Sequence, residues 1–322
     1  MALSTTLSAQ SRLLCAERKP NPTTAISPTT SLLLPQVVTL CKNNKGGFCG
    51  KGIGVRRKAR NNVVKASLKW EKGFANVEVF TKEHLAVSLA YDVAQLSNKY
   101  TRDKGSFTVV LSGGSLIKYL RKLVEAPYLE TIDWSKWHVF WVEERVVAKD
   151  DLDSNYKVAR DGFLSKVAIP GVQIYGIADA LPADGAADVW ETTLRRLVKN
   201  KVIDSSESGF PKFDLMLLGM GPDGEVASLF PGHPLLNEDK KWVSHLNDAP
   251  KPPPERITYT LPVINSASNI AMVVTGAGKA NAVASALEDD KTHKLPVQLV
   301  SPRKGQLKWY LDKGAASKLF KE

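Results

Sequence analysis

A loop rich in glycine and acidic residues is the strongest candidate for chemistry in this sequence. The segment Gly219–Glu225 reads GMGPDGE and directly follows FDLMLL, an apolar run too short for a full helix. We therefore predict a buried parallel strand there. Pro222 and Asp223 suit the first turn and cap of a helix that continues to Leu229, which would leave free N–H groups where open parallel sheets bind ligands. The simpler alternative is a tight strand-to-helix turn that needs glycine.

A second loop has the chemistry of an anion site. It follows FTVVL, another predicted buried strand, and precedes the helical pattern LIKYLRKLV. Glycines let the backbone approach an anion closely, and exposed amides and hydroxyls at a helix start can hold a phosphate without a basic side chain. A flexible turn is the alternative for so short a motif. The loop consists of Ser112, Gly113, Gly114 and Ser115.

Charged residues follow two further predicted strands. Glu143, Glu144 and Arg145 come after WHVFWV, and Lys279 comes after NIAMVVTG at the start of the helical pattern ANAVASALEDD. The helix macrodipole disfavours a lysine in the first turn, and a bound phosphate would be a suitable partner for it. The alternatives are a solvated loop for the first group and an ordinary exposed lysine for the second.

Strands alternate with helices along the sequence, and these four loops lie at the strands' carboxyl ends. The pattern predicts an α/β fold with a doubly wound, mostly parallel sheet. Further helices are predicted from Thr81, after a cap at Asp153 or Ser154, and over 183–200; a short strand is predicted over 173–176. The sequence NDAPKPPPER is interpreted as a surface loop, and no dinucleotide fingerprint or internal repeat is present.

The net charge of +11 belongs almost entirely to the amino-terminal segment. Residues 1–66 contain eleven Lys or Arg and one acid, so the totals of 44 and 33 leave 33 basic and 32 acidic residues elsewhere. The segment 67–322, predicted to be a single folded domain, is therefore nearly neutral. A role in binding nucleic acid loses its main support.

Residues 1–66 have the composition of a targeting segment. They are basic, poor in acids, rich in Ser and Thr, and contain all three cysteines. We predict a disordered chloroplast transit peptide that engages the plastid import machinery and is cleaved near Ala66; a retained basic tail is the alternative. Cleavage would leave no cysteine for a disulfide, thiol nucleophile or metal site. The apolar runs are too short for a secretory signal or a membrane span.

Five motifs in order give the chain a resemblance to the 6-phosphogluconolactonase family. They are SGGS, EER, GMGPDG with ASLFPGH, RITYTLP and TGAGKA, and the match as a whole covers essentially residues 75–319. The ASLFPGH motif is typical of lactonases and argues against the related glucosamine-6-phosphate deaminases. SGGSLIKYL and the terminal WYLDKGAASKL are similar to the plant members. The resemblance implies the Rossmann-like fold shared with those deaminases and with ribose-5-phosphate isomerase.

The resemblance also implies an activity and roles for the motif residues. The reaction would be hydrolysis of 6-phosphoglucono-1,5-lactone to 6-phosphogluconate in the oxidative pentose phosphate pathway, without a metal or cofactor. The phosphate would lie against the backbone of Gly113–Ser115, with Arg256 and Lys279 supplying positive charge. Arg145 would polarise the lactone carbonyl, and a general base would activate water.

Two positions depart from the family pattern, and the change at Glu225 matters more than that of the family's aspartate to Glu143. The family reads GPDGH and uses that histidine as its general base, whereas this chain has Glu225. A helix start would lower the pKa of this carboxyl, while burial and the nearby Asp223 would raise it. Glu225 is either the base or a stabiliser of the helix start, and the alternative function is a non-catalytic paralogue that binds a phosphosugar or a plastid protein. His233 and His138 are expected to be structural.

Overall fold

The computed structural model describes residues 64–70, 73–287 and 294–319. The predicted transit peptide lies outside these residues, apart from Val64, Lys65 and Ala66, which form the start of the first strand. The predicted cleavage near Ala66 would thus fall within a strand, and it stays a prediction. Among the described helices, none combines the length and apolar character that crossing a bilayer requires.

Twelve strands and six α-helices make up the described chain. The strands are β1 (Val64–Trp70), β2 (Gly73–Phe80), β3 (Phe107–Leu111), β4 (Trp137–Trp141), β5 (Glu143–Arg145), β6 (Asp204–Ser205), β7 (Pro211–Lys212), β8 (Leu215–Leu218), β9 (Val243–Leu246), β10 (Arg256–Tyr259), β11 (Asn269–Val274) and β12 (Gln306–Asp312). The helices are α1 (Lys82–Lys104), α2 (Tyr128–Thr131), α3 (Asn155–Gly162), α4 (Ala183–Lys199), α5 (Leu261–Ile264) and α6 (Ala280–Leu287).

Seven of the strands form the central sheet, in the order β1-β2-β12-β11-β8-β3-β4. β1 pairs antiparallel with β2, and all the other pairs are parallel. The predicted doubly wound, mostly parallel sheet is confirmed. Because β11, β8, β3 and β4 are neighbours, the loops that follow their carboxyl ends meet at one edge of the sheet.

Apolar side chains cover both faces of this sheet. Val109 and Leu111 of β3 pack with α1 and α3 in one cluster, whereas Val110 packs with α4 and α6 in the other. The period of two residues in a strand sends alternate side chains to opposite faces, so a strand covered on both faces is apolar at every position. This explains why the central strands are uninterrupted apolar runs in the sequence.

A small antiparallel sheet adjoins the carboxyl edge of the central one. Its order is β5-β10-β9, with Arg256 opposite Arg145 and Ile257 opposite Glu144. The EER motif was predicted as a charged loop and is a strand instead, because its backbone pairs with β10. The pairing joins two motifs that lie more than a hundred residues apart in sequence.

The helix predicted after Pro222 is absent, and that prediction is wrong. The Gly221 amide donates to the Glu225 carbonyl at 3.0 Å, and a second turn joins Val226 to Leu229. Gly224 has a φ of +80° and Ala227 one of +55°, both in the left-handed region that interrupts a right-handed helix. The predicted strand over 173–176 is likewise reduced to a single bridge between Ile174 and Val139.

The cap of α3 is Ser154, one of the two predicted residues. Its Oγ accepts a hydrogen bond from the Lys157 amide at 3.2 Å. We expect Ser154→Ala to lower the free energy of unfolding by about 1 kcal/mol, since the helix loses its N-cap. Urea denaturation would measure the change, with Thr192→Ala on the exposed side of α4 as the control. Equal midpoints for the two variants would contradict the prediction.

Candidate active site

A cleft of about 400 Å³ opens where the four strand-end loops meet. It is lined by the residues after β3, β4, β8 and β11 and by Lys251 from the loop before β10. The lining residues that carry polar side chains or glycine are Ser112, Gly113, Gly114, Ser115, Glu143, Arg145, Gly219, Gly221, Glu225, Lys251 and Lys279. The structure thus brings seven of the nine predicted site residues to the cleft, and the two that do not line it are Asp223 and Arg256.

The SGGS loop forms one wall of the cleft. Ser112 is buried, and its hydroxyl accepts a hydrogen bond from the Gly219 amide at 3.1 Å, which ties this loop to the one after β8. Gly114 has a φ of +65° and begins a 3₁₀ helix over Gly114–Val124. Gly114 and Ser115 are exposed, and the first amides of a helix have no acceptor within it. They are therefore available to an anion in the cleft.

Arg145 enters the cleft from β5 and is held by α3. Its Nη1 donates to the Asp153 carbonyl and to Asn155 Oδ1, both at 2.8 Å, while its Nε is buried without a hydrogen-bond acceptor. Asn155 is fully buried, and its Nδ2 donates to the Glu143 carbonyl at 3.1 Å. The guanidinium is fixed in position, with part of its donor capacity left for a ligand.

Glu144 anchors α3 behind the cleft. Its carboxylate accepts hydrogen bonds from the amides of Arg145, Asn155 and Tyr156 at 2.7–2.9 Å. Burial raises the pKa of Glu144 to about 7, although the three amides favour the charged form. Its position at the amino terminus of a helix identifies it as the group that aligns α3, and hence Asn155, with β5.

Glu225 lies across the cleft, in an ion pair. Its Oε2 is 2.8 Å from Lys251 Nζ, and Lys251 also donates a hydrogen bond to Asp223 Oδ1 at 3.0 Å. Burial raises the pKa of Glu225, and the ammonium of Lys251 opposes that rise, while the charges of Asp223 and Glu143 add to it. The helix start that was expected to lower this pKa does not exist here. A carboxylate with a raised pKa is a stronger base than an exposed one.

Lys279 supplies a positive charge to the cleft that the SGGS loop also lines. It is half-buried at the start of α6, and burial lowers the pKa of its ammonium group. No carboxylate that the structure describes forms an ion pair with its Nζ. The predicted need of this lysine for a partner is thus met by no described side chain, which leaves it available to an anionic ligand.

Arg256 lies beneath the cleft and does not line it. Its side chain is only 4% exposed, and it donates to the carbonyls of Lys251, Pro252 and Pro253 at 2.8–3.3 Å. Its Nη1 is 3.5 Å from Glu143 Oε2. These contacts use its donors to hold the loop that carries Lys251, and its predicted contact with a phosphate stays a prediction.

Two residues of the site, Lys251 and Asn155, were not predicted from the sequence. Lys251 belongs to the proline-rich segment interpreted as a surface loop, and its only signal was a lone cation five residues before Arg256. His233 caps a 3₁₀ helix over Pro234–Asn237, and His138 stacks on Tyr175. In the described part of the chain, no three His, Cys or carboxylate side chains gather closely enough to hold a metal ion.

The sequence matches a known family over most of its length. The family described as Glucosamine-6-phosphate isomerases/6-phosphogluconolactonase matches residues 80–309. The "Probable 6-phosphogluconolactonase 4, chloroplastic" of Oryza sativa subsp. japonica is 64% identical over 241 residues, which are 74% of each chain. The "6-phosphogluconolactonase 3, chloroplastic" of Arabidopsis thaliana is 54% identical over 275 residues, or 85% of this chain and 83% of that one.

Solved structures share the fold. The 6-phosphogluconolactonase of Trypanosoma brucei superposes with a TM-score of 0.66 at 27% identity, covering 76% of this chain and 98% of that one. The "devB protein" gives a TM-score of 0.66 at 32% identity, with the same coverage. The family match and the shared fold both agree with the resemblance based on the motifs, several of which line the cleft. The chain belongs to the family of glucosamine-6-phosphate isomerases and 6-phosphogluconolactonases.

Proposed function

We propose that this chain hydrolyses 6-phosphoglucono-1,5-lactone to 6-phosphogluconate in the chloroplast. The observation that carries the proposal is the arrangement of one cleft, which brings together the Gly113–Ser115 backbone, the Lys279 ammonium group, a fixed guanidinium at Arg145 and a half-buried carboxylate at Glu225. Relatives that are 54–64% identical are named chloroplastic 6-phosphogluconolactonases, which favours this activity over a non-catalytic phosphosugar-binding role.

The reaction follows from the positions of these groups. The substrate phosphate would lie against the amides of Gly114 and Ser115 and the Lys279 ammonium. Glu225 would accept a proton as water attacks the lactone carbonyl carbon, and Arg145 would stabilise the oxyanion that forms there. The bond from the carbonyl carbon to the ring oxygen then breaks, and the ring oxygen takes the proton from Glu225 to become a hydroxyl.

The direct test measures lactone hydrolysis by the full-length chain. Freshly prepared lactone is supplied, 6-phosphogluconate is detected with 6-phosphogluconate dehydrogenase, and the rate is corrected for spontaneous hydrolysis. We expect a rate well above that background, and a much lower rate with unphosphorylated gluconolactone, because that compound cannot occupy the anion site. A corrected rate of zero would refute the proposed activity.

Lys279→Met tests the phosphate site. We expect KM to rise roughly tenfold with little change in kcat, since a charge-assisted hydrogen bond of about 1.5 kcal/mol is lost from ground state and transition state alike. Steady-state kinetics would measure the split between KM and kcat. Lys118→Met, which removes an exposed lysine that does not line the cleft, is the matched control. An unchanged KM would exclude Lys279 from phosphate binding.

We also propose that residues 1–66 direct the chain into the chloroplast through the plastid import machinery. Their basic, hydroxyl-rich and acid-poor composition supports this, as do the chloroplastic names of relatives. A fluorescent reporter fused to residues 1–66 should accumulate in plastids. A cytosolic reporter would overturn the proposal without affecting the proposed activity.

A further inference from the structure

Lys251 bridges two carboxylates across the mouth of the cleft. Its Nζ lies 2.8 Å from Glu225 Oε2 and 3.0 Å from Asp223 Oδ1, although it comes from a different loop. Exposed lysines rarely hold a fixed geometry, since their long side chains lose rotamer freedom in doing so. Lys251 is only 37% exposed, and both of its partners lie on the loop that follows β8.

The backbone of Lys251 is held in place by hydrogen bonds from Arg256. The buried guanidinium of Arg256 donates to the Lys251 carbonyl at 2.8 Å and to those of Pro252 and Pro253 at 3.3 and 3.0 Å. Arg256 belongs to β10, which is paired on both sides within the small sheet. The ammonium group is therefore presented to Glu225 by a rigid support and not by a free loop.

The charges around Glu225 would otherwise favour its protonated form. Asp223 of the same loop and Glu143 of β5 raise the pKa of Glu225, as does its burial. Positive charge comes from Lys251, from Arg256 of β10 and from Lys279 at the start of α6. Of these cations, Lys251 is the one within ion-pair distance of the Glu225 carboxylate among the described residues.

We propose that Lys251 is a positioning residue of the lactonase reaction, which aligns the Glu225 carboxylate and keeps it ionised so that it can accept the proton of the attacking water. The inference rests on the proposed function and extends it to a residue outside the motifs that identify the family. Asp223 has a part in this arrangement, because its hydrogen bond to Lys251 keeps the ammonium group in place when Glu225 becomes neutral during the reaction.

The test compares Lys251→Met with Lys251→Arg in the full-length chain between pH 5.5 and 8. Removal of the cation raises the pKa of Glu225, so a larger fraction of the base is protonated at low pH. We expect Lys251→Met to lower kcat about tenfold or more near pH 6, with a loss that shrinks as the pH rises and with KM little changed. Lys251→Arg should restore most of the rate, and Lys118→Met should leave it unchanged.

A merely structural role would lower the rate by the same factor at every pH, and that result would overturn the proposal. A second measurement does not depend on activity. Full-length protein labelled with ¹³C at the Glu carboxyl carbons is titrated by NMR, and the Glu225 signal is assigned by its loss in Glu225→Gln. We expect Lys251→Met to raise its titration midpoint.

The two measurements separate the proposals. A wild type that is active, with a Glu225 midpoint that Lys251→Met leaves in place, refutes the role of Lys251 alone. An inactive wild type refutes the lactonase function, and with it the positioning role of Lys251 in that reaction, whatever the midpoint does. An active wild type with a raised midpoint and a loss of rate confined to low pH supports both.

Discussion

Glu225→Gln should lower kcat by roughly two to four powers of ten, the contribution typical of a general base. The amide keeps the shape of the carboxyl group and fills the same space beside Lys251, but it cannot accept the proton of the attacking water. Coupled assays corrected for spontaneous hydrolysis would measure the loss. KM should change little, because Glu225 is proposed to act on the attacking water and not to contact the phosphate.

Two variants sharpen this test. Glu255→Gln removes an exposed carboxylate next to Arg256 and should leave the rate unchanged. Glu225→His introduces the base typical of the family, and its rate should exceed that of Glu225→Gln by at least tenfold. If Glu225→Gln kept a rate within threefold of wild type, Glu225 would not be the base.

Gly113→Ala should lower kcat/KM about a hundredfold and also destabilise the protein. A Cβ at this position would lie 1.7 Å from Asn155 Oδ1, which accepts the hydrogen bond from Arg145. Asn155 is fully buried and has no free space to move into without repacking. We expect a loss of about 1–3 kcal/mol in the free energy of unfolding from overpacking. Displacement of the guanidinium by about an ångström accounts for the loss of activity.

The control for this variant is Gly171→Ala. A Cβ on Gly171 would meet nothing within 4 Å, and its φ is not in the left-handed region. Unfolding in urea and kcat/KM should both stay close to wild type. Wild-type activity in Gly113→Ala would show that the Asn155 amide is not needed to place Arg145.

The central sheet was predictable because its strands are buried on both faces. Runs such as FTVVL are apolar at every position, and the neighbouring loops then had to lie at one edge. The polar loops SGGS and TGAGKA could be assigned to the cleft on that basis alone. The two loops meet because of the order of the strands in the sheet. When strands alternate with helices along the chain, only a few strand orders are possible.

The conformation of the loop after β8 was not predictable from local sequence. Pro222 and Asp223 are equally suited to a helix start and to a turn. The choice depends on the Gly221–Glu225 hydrogen bond and on the left-handed backbone of Gly224, against which Leu295 packs. The contact between Gly224 and Leu295 joins residues far apart in the chain, so no local pattern contains it.

The contacts of Arg256 were also not predictable from local sequence. An arginine next to a strand in a phosphosugar site was expected to face the ligand. In the structure its donors contact three carbonyl groups of the proline-rich loop and Glu143, whose carboxylate also accepts a hydrogen bond from Ser228, and the contact with a phosphate stays a prediction. Burial of an arginine requires such partners, and only the folded chain reveals them.

The small antiparallel sheet fixes the separation of two arginines at the cleft. Arg145 and Arg256 are opposite each other in its register, so the group proposed to polarise the carbonyl and the group that supports Lys251 lie on two directly paired strands. Their spacing is set by the backbone pairing of two strands and is independent of the side chains that line the rest of the cleft. A substitution in the loops of the central sheet can therefore change the chemistry of the cleft while the pairing of β5 with β10 keeps Arg145 and Arg256 at the same separation.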